Sequence, residues 1–319
     1  MNAVRAAEAG AAGAVISEAI LLPTGVLVAA GNAGVFLLTP DGREEARWDV
    51  RASSLTIADD GTSALIVGPH RSGFALHRLD LATHELTPLP TLTGYGIAPT
   101  FDGTTVTIEG HEGLRAFDLT TDPPRIAWAE FERSDATVQE HQRSPTRLSA
   151  IVSFRRGEDP TVVGVERWTW ELPSRRVIDR QADTETWGDM FTVAAPLRVS
   201  ATTADGTLVY IDRLDGDLVE CVKPVDGPET VRPLDDYAEV DVDGDRSALL
   251  QETAIDARVT VRDAAHAPVA VVTFPGTRFA HFRAHGGTAT AYAQDGRIVA
   301  VDLRTGEALA NLAVLDPSA

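Results

Sequence analysis

The sequence predicts an all-β fold built from one repeated unit of four short strands. Short runs of apolar and β-branched residues recur along the whole chain, and Gly, Pro, Asn and Asp turn signals separate them. Four such runs form a unit of roughly 40–50 residues, a period typical of repeat architectures. Helical periodicity is nearly absent. Seven consecutive units of this kind indicate a seven-bladed β-propeller with four-stranded antiparallel blades.

The seven units can be placed in order along the chain. The second and third correspond most closely, because an Asp-Gly pair at 60–61 and another at 102–103 would close the first hairpin of each. Asp-Gly suits a tight hairpin turn since it tolerates positive φ. The fourth unit is the least regular. The predicted units cover residues 14–50, 53–90, 96–131, 137–181, 191–234, 237–274 and 278–315.

Several predicted strands are apolar on both faces. The runs at 64–68 and 297–303 do not alternate between apolar and polar residues. Neighbouring blades cover both faces of a propeller sheet, so such runs fit a propeller. A large β-sandwich is the alternative architecture, but it leaves the repeat spacing unexplained.

The predicted domain organisation is simple. Residues 1–13 are Ala/Gly-rich and are expected to form a weakly helical or disordered lead-in, residues 14–315 a single propeller domain, and residues 316–319 a tail. The first and last units each supply four strands, so we expect the ring to close by blade packing, with residues 14–21 adding an outer strand.

One phrase of the last unit carries a family resemblance. It runs from Asp295-Gly296-Arg297 through an apolar strand to Asp302-Leu303-Arg304-Thr305-Gly306-Glu307, with degenerate copies at 78–86 and 116–128. The phrase resembles bacterial seven-bladed propellers of the WD-repeat, YVTN and quinoprotein-like superfamily. The resemblance implies the architecture alone. The Gly-His and Trp-Asp signatures of WD repeats do not occur together in any unit, since the single Gly-His lies at 110–111 and the single Trp-Asp at 48–49. The tryptophan that closes quinoprotein motifs is replaced, so no cofactor is expected.

Composition argues against several partners and compartments. The formal net charge is −19, which disfavours both nucleic acid and anionic membrane surfaces. Cys221 is the only cysteine, so no intramolecular disulfide is expected and a buried structural thiol is favoured. No secretory signal core or membrane-spanning run is evident. We expect a cytoplasmic protein, and the single lysine, Lys223, beside abundant Ala, Arg and Gly suggests a high-GC bacterial genome.

Motifs for metal binding and nucleophilic catalysis are weak. His281 and His285, four residues apart on a strand, would lie about 13 Å apart and cannot share one ion unless the chain turns between them. Gly286-Gly287 makes such a turn only marginally possible. The run at 241–245 resembles half of a calcium loop, but a hairpin turn is favoured because position six would be Arg246 rather than Gly. No HExxH, CxxC, G-x-S-x-G or phosphate loop occurs. No metal site is predicted.

The predicted functional region is one mouth of the central channel, where loops enter the innermost strands. Aromatic, Arg and His residues on these entering segments suit a small-molecule pocket or a protein-binding hot spot. The acidic stretch 183–191 is favoured because it would expose Trp187 and Met190. The predicted binding residues are Tyr95, Trp187, Asp189, Tyr237 and Arg278; Arg51 accompanies them, and the candidate acid/base residues are His281 and His141.

Two functions remain open at this point. The first is a non-enzymatic interaction scaffold that presents a propeller face to a protein partner. The second is an enzyme or small-molecule-binding protein of the lyase, isomerase or cyclase type, with His281 or His141 as acid or base. Both rest on analogy with the fold.

Overall fold

The computed structural model describes most of the chain between residues 16 and 313. The described ranges are 16–71, 73–93, 99–110, 113–132, 136–143, 146–155, 162–172, 174–182, 186–187, 201–234, 237–253, 255–276, 278–279, 281–293 and 296–313. The predicted lead-in and tail lie outside these ranges.

The described residues form seven antiparallel sheets, each built from consecutive strands, which are the blades of a propeller. Blade 1 contains β1 (Glu18–Leu22), β2 (Gly25–Ala29), β3 (Val35–Leu38) and β4 (Glu44–Trp48). Blade 2 contains β5 (Ser54–Ile57), β6 (Ser63–His70), β7 (Gly73–Asp80) and β8 (Leu86–Thr93). Blade 3 contains β9 (Thr100–Phe101), β10 (Thr105–Gly110), β11 (Gly113–Asp118) and β12 (Arg125–Glu130).

Blade 4 carries an additional short strand. It contains β13 (Ala136–Arg143), β14 (Arg147–Arg155), β15 (Val162–Glu171), β16 (Arg176–Ala182) and β17 (Thr186–Trp187), and β17 pairs with β15. Blade 5 contains β18 (Ala201–Thr202), β19 (Leu208–Leu214), β20 (Asp217–Lys223) and β21 (Thr230–Pro233).

The last two blades are regular. Blade 6 contains β22 (Tyr237–Asp243), β23 (Arg246–Glu252), β24 (Asp256–Arg262) and β25 (Pro268–Pro275), and blade 7 contains β26 (His281–His285), β27 (Thr288–Tyr292), β28 (Arg297–Asp302) and β29 (Ala308–Ala313). The predicted all-β, seven-bladed propeller is therefore confirmed, with the expected units in the expected order. No helix able to cross a membrane occurs in the described ranges.

The core lies between blades rather than within one continuous layer. One apolar cluster joins Val26 and Phe36 of blade 1 to Tyr292 and Ile298 of blade 7. Similar clusters join blades 1 and 2, blades 2 and 3, blades 3 and 4, and blades 6 and 7. Middle strands are buried on both faces, as all five residues of β2 are, because each blade is covered on both sides.

The recurrent aspartates of the sequence are turn residues. Oδ1 of Asp302 accepts hydrogen bonds from the backbone N–H of Arg304 and of Thr305, both at 2.7 Å. Asp80, the last residue of β7, accepts in the same way from the N–H of Ala82 and of Thr83. Asp118, the last residue of β11, accepts from the N–H and the hydroxyl of Thr120. An Asp side chain that accepts from residues two and three positions later stabilises a turn. The sequence stretch that carries the family resemblance is therefore a turn motif that follows the third strand of a blade.

The ring closes by packing of blade 7 against blade 1. Tyr292 Oη donates to the carbonyl oxygen of Ser17 at 2.9 Å, and the N–H of Leu21 donates to Thr290 Oγ1 at 3.3 Å. Closure by packing is confirmed, but the expected outer strand from residues 14–21 is wrong. Strand β1 pairs with β2 and is the innermost strand of blade 1.

Candidate functional site

The first strand of each blade borders a central cavity of about 500 Å³. Because blade sheets radiate from the axis of the ring, their innermost strands line the channel. Cavity-lining residues come from all seven blades and include Ile20, Leu55, Thr100, His141, Ala201, Val242 and Ala284.

The cavity wall carries charges of both signs. Its acidic members are Glu18, Asp59, Asp241 and Asp243, and its basic members are Arg143, Arg147 and Arg283, beside His141 and His285. The chain as a whole has 47 acidic against 28 basic residues. The cavity is therefore much closer to charge balance than the rest of the protein, and its charges are close enough to pair.

His141 is part of the cavity wall and joins blade 4 to blade 3. Its side chain is fully buried, and Nδ1 contacts Oε2 of Glu109 on β10. Because a carboxylate only accepts, the imidazole donates from Nδ1. Nε2 lies 3.2 Å from Oγ1 of Thr100, which lines the cavity. Both ring nitrogens therefore have partners in the neighbouring blade.

Arg143 joins blade 4 to blades 2 and 3. Its guanidinium contacts Asp59, just after β5, and lies 3.5 Å from Oδ2 of Asp102, just after β9. The Arg143 side chain is 12% exposed and the Asp59 side chain 27%. A guanidinium can serve two carboxylates because its donors are arranged as a planar fork. The result is one cation that connects three blades at the cavity wall.

Glu18 joins blades 1, 2 and 7. Its Oε2 accepts from Ser54 Oγ at 2.8 Å and from the N–H of Leu55 at 2.9 Å. Its Oε1 lies 3.8 Å from Arg283 Nε. The carboxylate therefore accepts from a side chain and a backbone N–H of blade 2 and faces the guanidinium of blade 7.

Asp241 makes a similar link between blades 6 and 7. Its Oδ2 accepts from the N–H of Ala284 at 2.8 Å, and Oδ1 accepts from the N–H of Val242 at 2.8 Å. Burial raises the pKa of Asp241, and the charge of Arg283 and the two backbone bonds oppose this rise. Burial lowers the pKa of the Arg283 guanidinium, but the negative charges of Glu18 and Asp241 outweigh this effect, so the pKa is raised.

Charged links also occur farther from the axis. Glu220 on β20 is fully buried and contacts Arg262 on β24, which joins blade 5 to blade 6. Lys223 Nζ lies 2.8 Å from Oδ1 of Asp179 on β16, which joins blade 5 to blade 4. Polar contact between adjacent blades therefore extends beyond the cavity wall.

The structure brings one predicted site residue to the described cavity wall. His141 lies near the end of β13 rather than on a segment that enters it, which corrects the expected position. Tyr237 and His281 are the first residues of β22 and β26, as expected for entering segments. Arg278 is exposed before β26, and Arg51 is exposed before β5, with Nε 2.6 Å from Asn32 Oδ1.

The favoured acidic stretch is described only in part. Thr186 and Trp187 form β17, which pairs with Val163 and Val162, so this part is a strand rather than the expected loop. Tyr95, Asp189 and Met190 lie outside the described residues. The assignment of these positions as binding residues stays a prediction.

Sequence reasoning missed Glu18, Arg143, Asp241 and Arg283. Their signal is faint, because they do not share one position: Glu18 begins β1 and Arg143 ends β13. Asp241 and Arg283 do share one, two residues before the end of the first strand of blades 6 and 7, and that spacing is the pattern that could have found these two.

The described residues hold no group of three or more His, Cys, Asp or Glu side chains placed to bind a metal ion. The run at 241–245 spans the hairpin from β22 to β23, as predicted, with Asp243 opposite Arg246. Cys221 is buried, as predicted, and burial raises the pKa of its thiol to about 12. A thiol with so high a pKa is a poor nucleophile at neutral pH.

Comparison with known proteins shows the fold alone. No protein-family model matches the chain, and no curated protein matches its sequence. Among solved structures, the tricorn protease aligns with a TM-score of 0.62 and 12% identity over 93% of this chain and 34% of that chain. The chain therefore spans about a third of the tricorn protease chain.

Two further solved structures match over nearly their whole length. BamB from Moraxella catarrhalis aligns with a TM-score of 0.51 and 12% identity, covering 89% of this chain and 95% of that chain. Hsv2 from Kluyvelomyces marxianus aligns with a TM-score of 0.57 and 9% identity, covering 90% and 92%. All three are propeller proteins, which confirms the architectural resemblance drawn from the sequence. At identities of 9–12%, similarity to these structures shows the fold and does not indicate a shared function.

Proposed function

We propose that this protein is a non-enzymatic, cytoplasmic interaction scaffold whose rigid propeller presents a surface to a protein partner. One observation carries the proposal: most of the ionisable side chains that line the channel contact a neighbouring blade. Arg143 faces two carboxylates, Glu18 accepts from two donors, and both nitrogens of His141 have partners. Such contacts stabilise the ring, whereas catalysis needs groups positioned toward a substrate. The charge of −19 supports a protein partner over nucleic acid or an anionic membrane.

One arrangement favours a second candidate, an enzyme or small-molecule-binding protein of the channel. Thr100, His141 and Glu109 form a hydroxyl–imidazole–carboxylate series in which the hydroxyl is nearest to the cavity. That order is the one in which an imidazole can act as a base toward a hydroxyl. The Thr100→Val substitution removes the hydroxyl and keeps the side-chain volume, so it separates the two candidates.

The test is proximity labelling in the host cell, followed by native mass spectrometry of the purified tagged chain. A scaffold should retain a protein partner at a fixed stoichiometry, and Thr100→Val should retain as much of it as the wild type. The scaffold proposal is wrong if the chain retains no protein and instead carries a small molecule that Thr100→Val loses. Labelling that finds no enriched neighbour in the cell also contradicts it.

A further inference from the structure

We propose that the outer edge of blade 6, strand β25, binds an extended segment of a partner protein, which adds to the blade as a fifth strand. The inference rests on the proposed scaffold function and assigns its binding surface. The expected segment is about six residues long, with apolar residues at alternate positions and one carboxylate.

The first support is the composition of the outer strands. An exposed edge strand invites pairing with another chain, and proteins prevent this with charges or internal proline. Four of the seven outer strands carry charged residues, and β8 carries Pro88 and Pro90 inside it. Strand β29 is uncharged but is shorter, largely Ala and Leu, and contains Asn311. Strand β25, with the sequence PVAVVTFP, has eight residues, no charge and proline only at its ends.

The second support is the direction of the backbone groups. The N–H of Gly276 donates to the carbonyl of Ile255, so these opposed residues form a hydrogen-bonded pair. Bonding to the neighbouring strand alternates along an antiparallel ladder. The register then directs the N–H and C=O groups of Val271 and Thr273 away from β24. Strand β25 ends its sheet, with no further described strand beside it.

The third support is the side-chain surface at the same place. Val269 is 44% exposed and Val271 57% exposed, and Thr273, on the same face, is also exposed. Arg258 lies directly opposite Thr273 on β24, is exposed, and forms no ion pair with any residue in the described ranges. An apolar stripe that ends beside a cation fits a segment with apolar residues followed by Asp or Glu.

Charge also decides between a partner and a second copy of the chain. Two copies joined through β25 would bring no carboxylate on that strand to Arg258, because β25 has none. Each copy would also bring a net charge of −19, which opposes association. Pro268 and Pro275 at the ends of the strand limit pairing to residues 269–274.

The test begins with selection from a displayed library of random peptides about ten residues long. Wild-type protein should enrich peptides with alternating apolar residues and an Asp or Glu at a fixed position. Val271→Lys should weaken binding of a synthetic selected peptide at least about tenfold. Arg258→Glu should reverse the preference, so that Lys or Arg replaces the acidic residue in the selected peptides.

The matched control is Ile126→Lys on the outer strand β12, since Ile126 is 51% exposed. This variant should bind the peptide as the wild type does, and circular dichroism should show all three variants folded. The proposal is overturned if no peptide is enriched, if Arg258→Glu leaves the selected sequence unchanged, or if Ile126→Lys weakens binding as much as Val271→Lys.

Two further outcomes would assign the edge to another occupant. A dimer in sedimentation that Val271→Lys converts to monomer would assign β25 to a second copy. A large gain in peptide affinity when residues 1–15 are removed would assign it to that segment of the chain. If Val271→Lys loses the peptide but keeps the partner found in the host cell, the scaffold function stands and this binding surface is wrong.

Discussion

The packing of blade 7 against β25 predicts a large difference between two Gly→Ala substitutions. Gly306 has a φ of +72°, and a Cβ added there would lie 2.0 Å from Cβ of Ala270. Gly61 has a φ of +69°, and a Cβ added there would meet nothing within 4 Å. Both substitutions place Ala in the left-handed region, at a cost of about 1–2 kcal/mol. Only Gly306→Ala also overpacks a contact between blades, which costs about 1–3 kcal/mol more.

Differential scanning calorimetry measures the difference. At about 2 °C per kcal/mol for a domain of this size, Gly61→Ala should lower Tm by about 2–4 °C and Gly306→Ala by about 4–10 °C. The entropy that Ala removes from the unfolded chain is common to both and cancels. Combining Gly306→Ala with Ala270→Gly should recover the steric part, because the clashing methyl group is gone. Equal losses of Tm in the two single variants would refute the reasoning.

Three further predictions concern groups buried between blades. Glu220→Gln should lower the free energy of unfolding by about 3–5 kcal/mol, because the charge of Arg262 then stays buried without its carboxylate. Replacing both Glu220 and Arg262 by Met should leave the free energy of unfolding nearly unchanged. Urea unfolding measures both variants, and equal losses of stability would contradict the prediction. Burial lowers the pKa of His266 in the folded state below its unfolded value of 6.5. The neutral imidazole therefore stabilises the fold fully above pH 6.5, and this contribution is lost as the pH falls from 6.5 through the lower pKa of the folded state. His266→Asn, which suits the φ of +57°, should flatten the decline of Tm below that pH, while His84→Asn, at a turn with φ of +60°, should leave the decline intact. Tyr292→Phe removes the hydrogen bond from blade 7 to a backbone carbonyl of blade 1 and should cost about 1 kcal/mol in urea unfolding; an unchanged midpoint would show that this bond does not stabilise the closed ring.

The fold could be predicted because its signals are local. A hairpin turn such as the one at Asp60-Gly61 is specified by two adjacent residues, and Asp302 bonds residues two and three positions later. Strands buried on both faces leave continuous apolar runs that need no partner to be recognised. Each of these features is complete within one blade.

The charged contacts of the cavity wall could not be predicted, because they join residues far apart in the sequence. Glu18 looks like an interruption of an apolar run, yet it accepts from the N–H of Leu55, 37 positions away. His141 was expected on an entering segment, but β13 is eight residues long with an irregular register at Val138/Glu140, which carries the histidine toward the end of the strand. Such placement depends on the rotation between blades, which no local pattern records.

The contacts that close the ring are separate from the surface where we expect a partner to bind. A propeller that completes one blade with a strand from the other terminus uses covalent continuity to hold the ring. Here blade 7 meets blade 1 through an apolar cluster, the Tyr292–Ser17 bond and the Glu18–Arg283 contact. These groups stabilise the ring from inside. The outer edge of blade 6 is a separate surface, where the N–H and C=O groups of Val271 and Thr273 are directed away from β24, and it is where we expect a partner to bind.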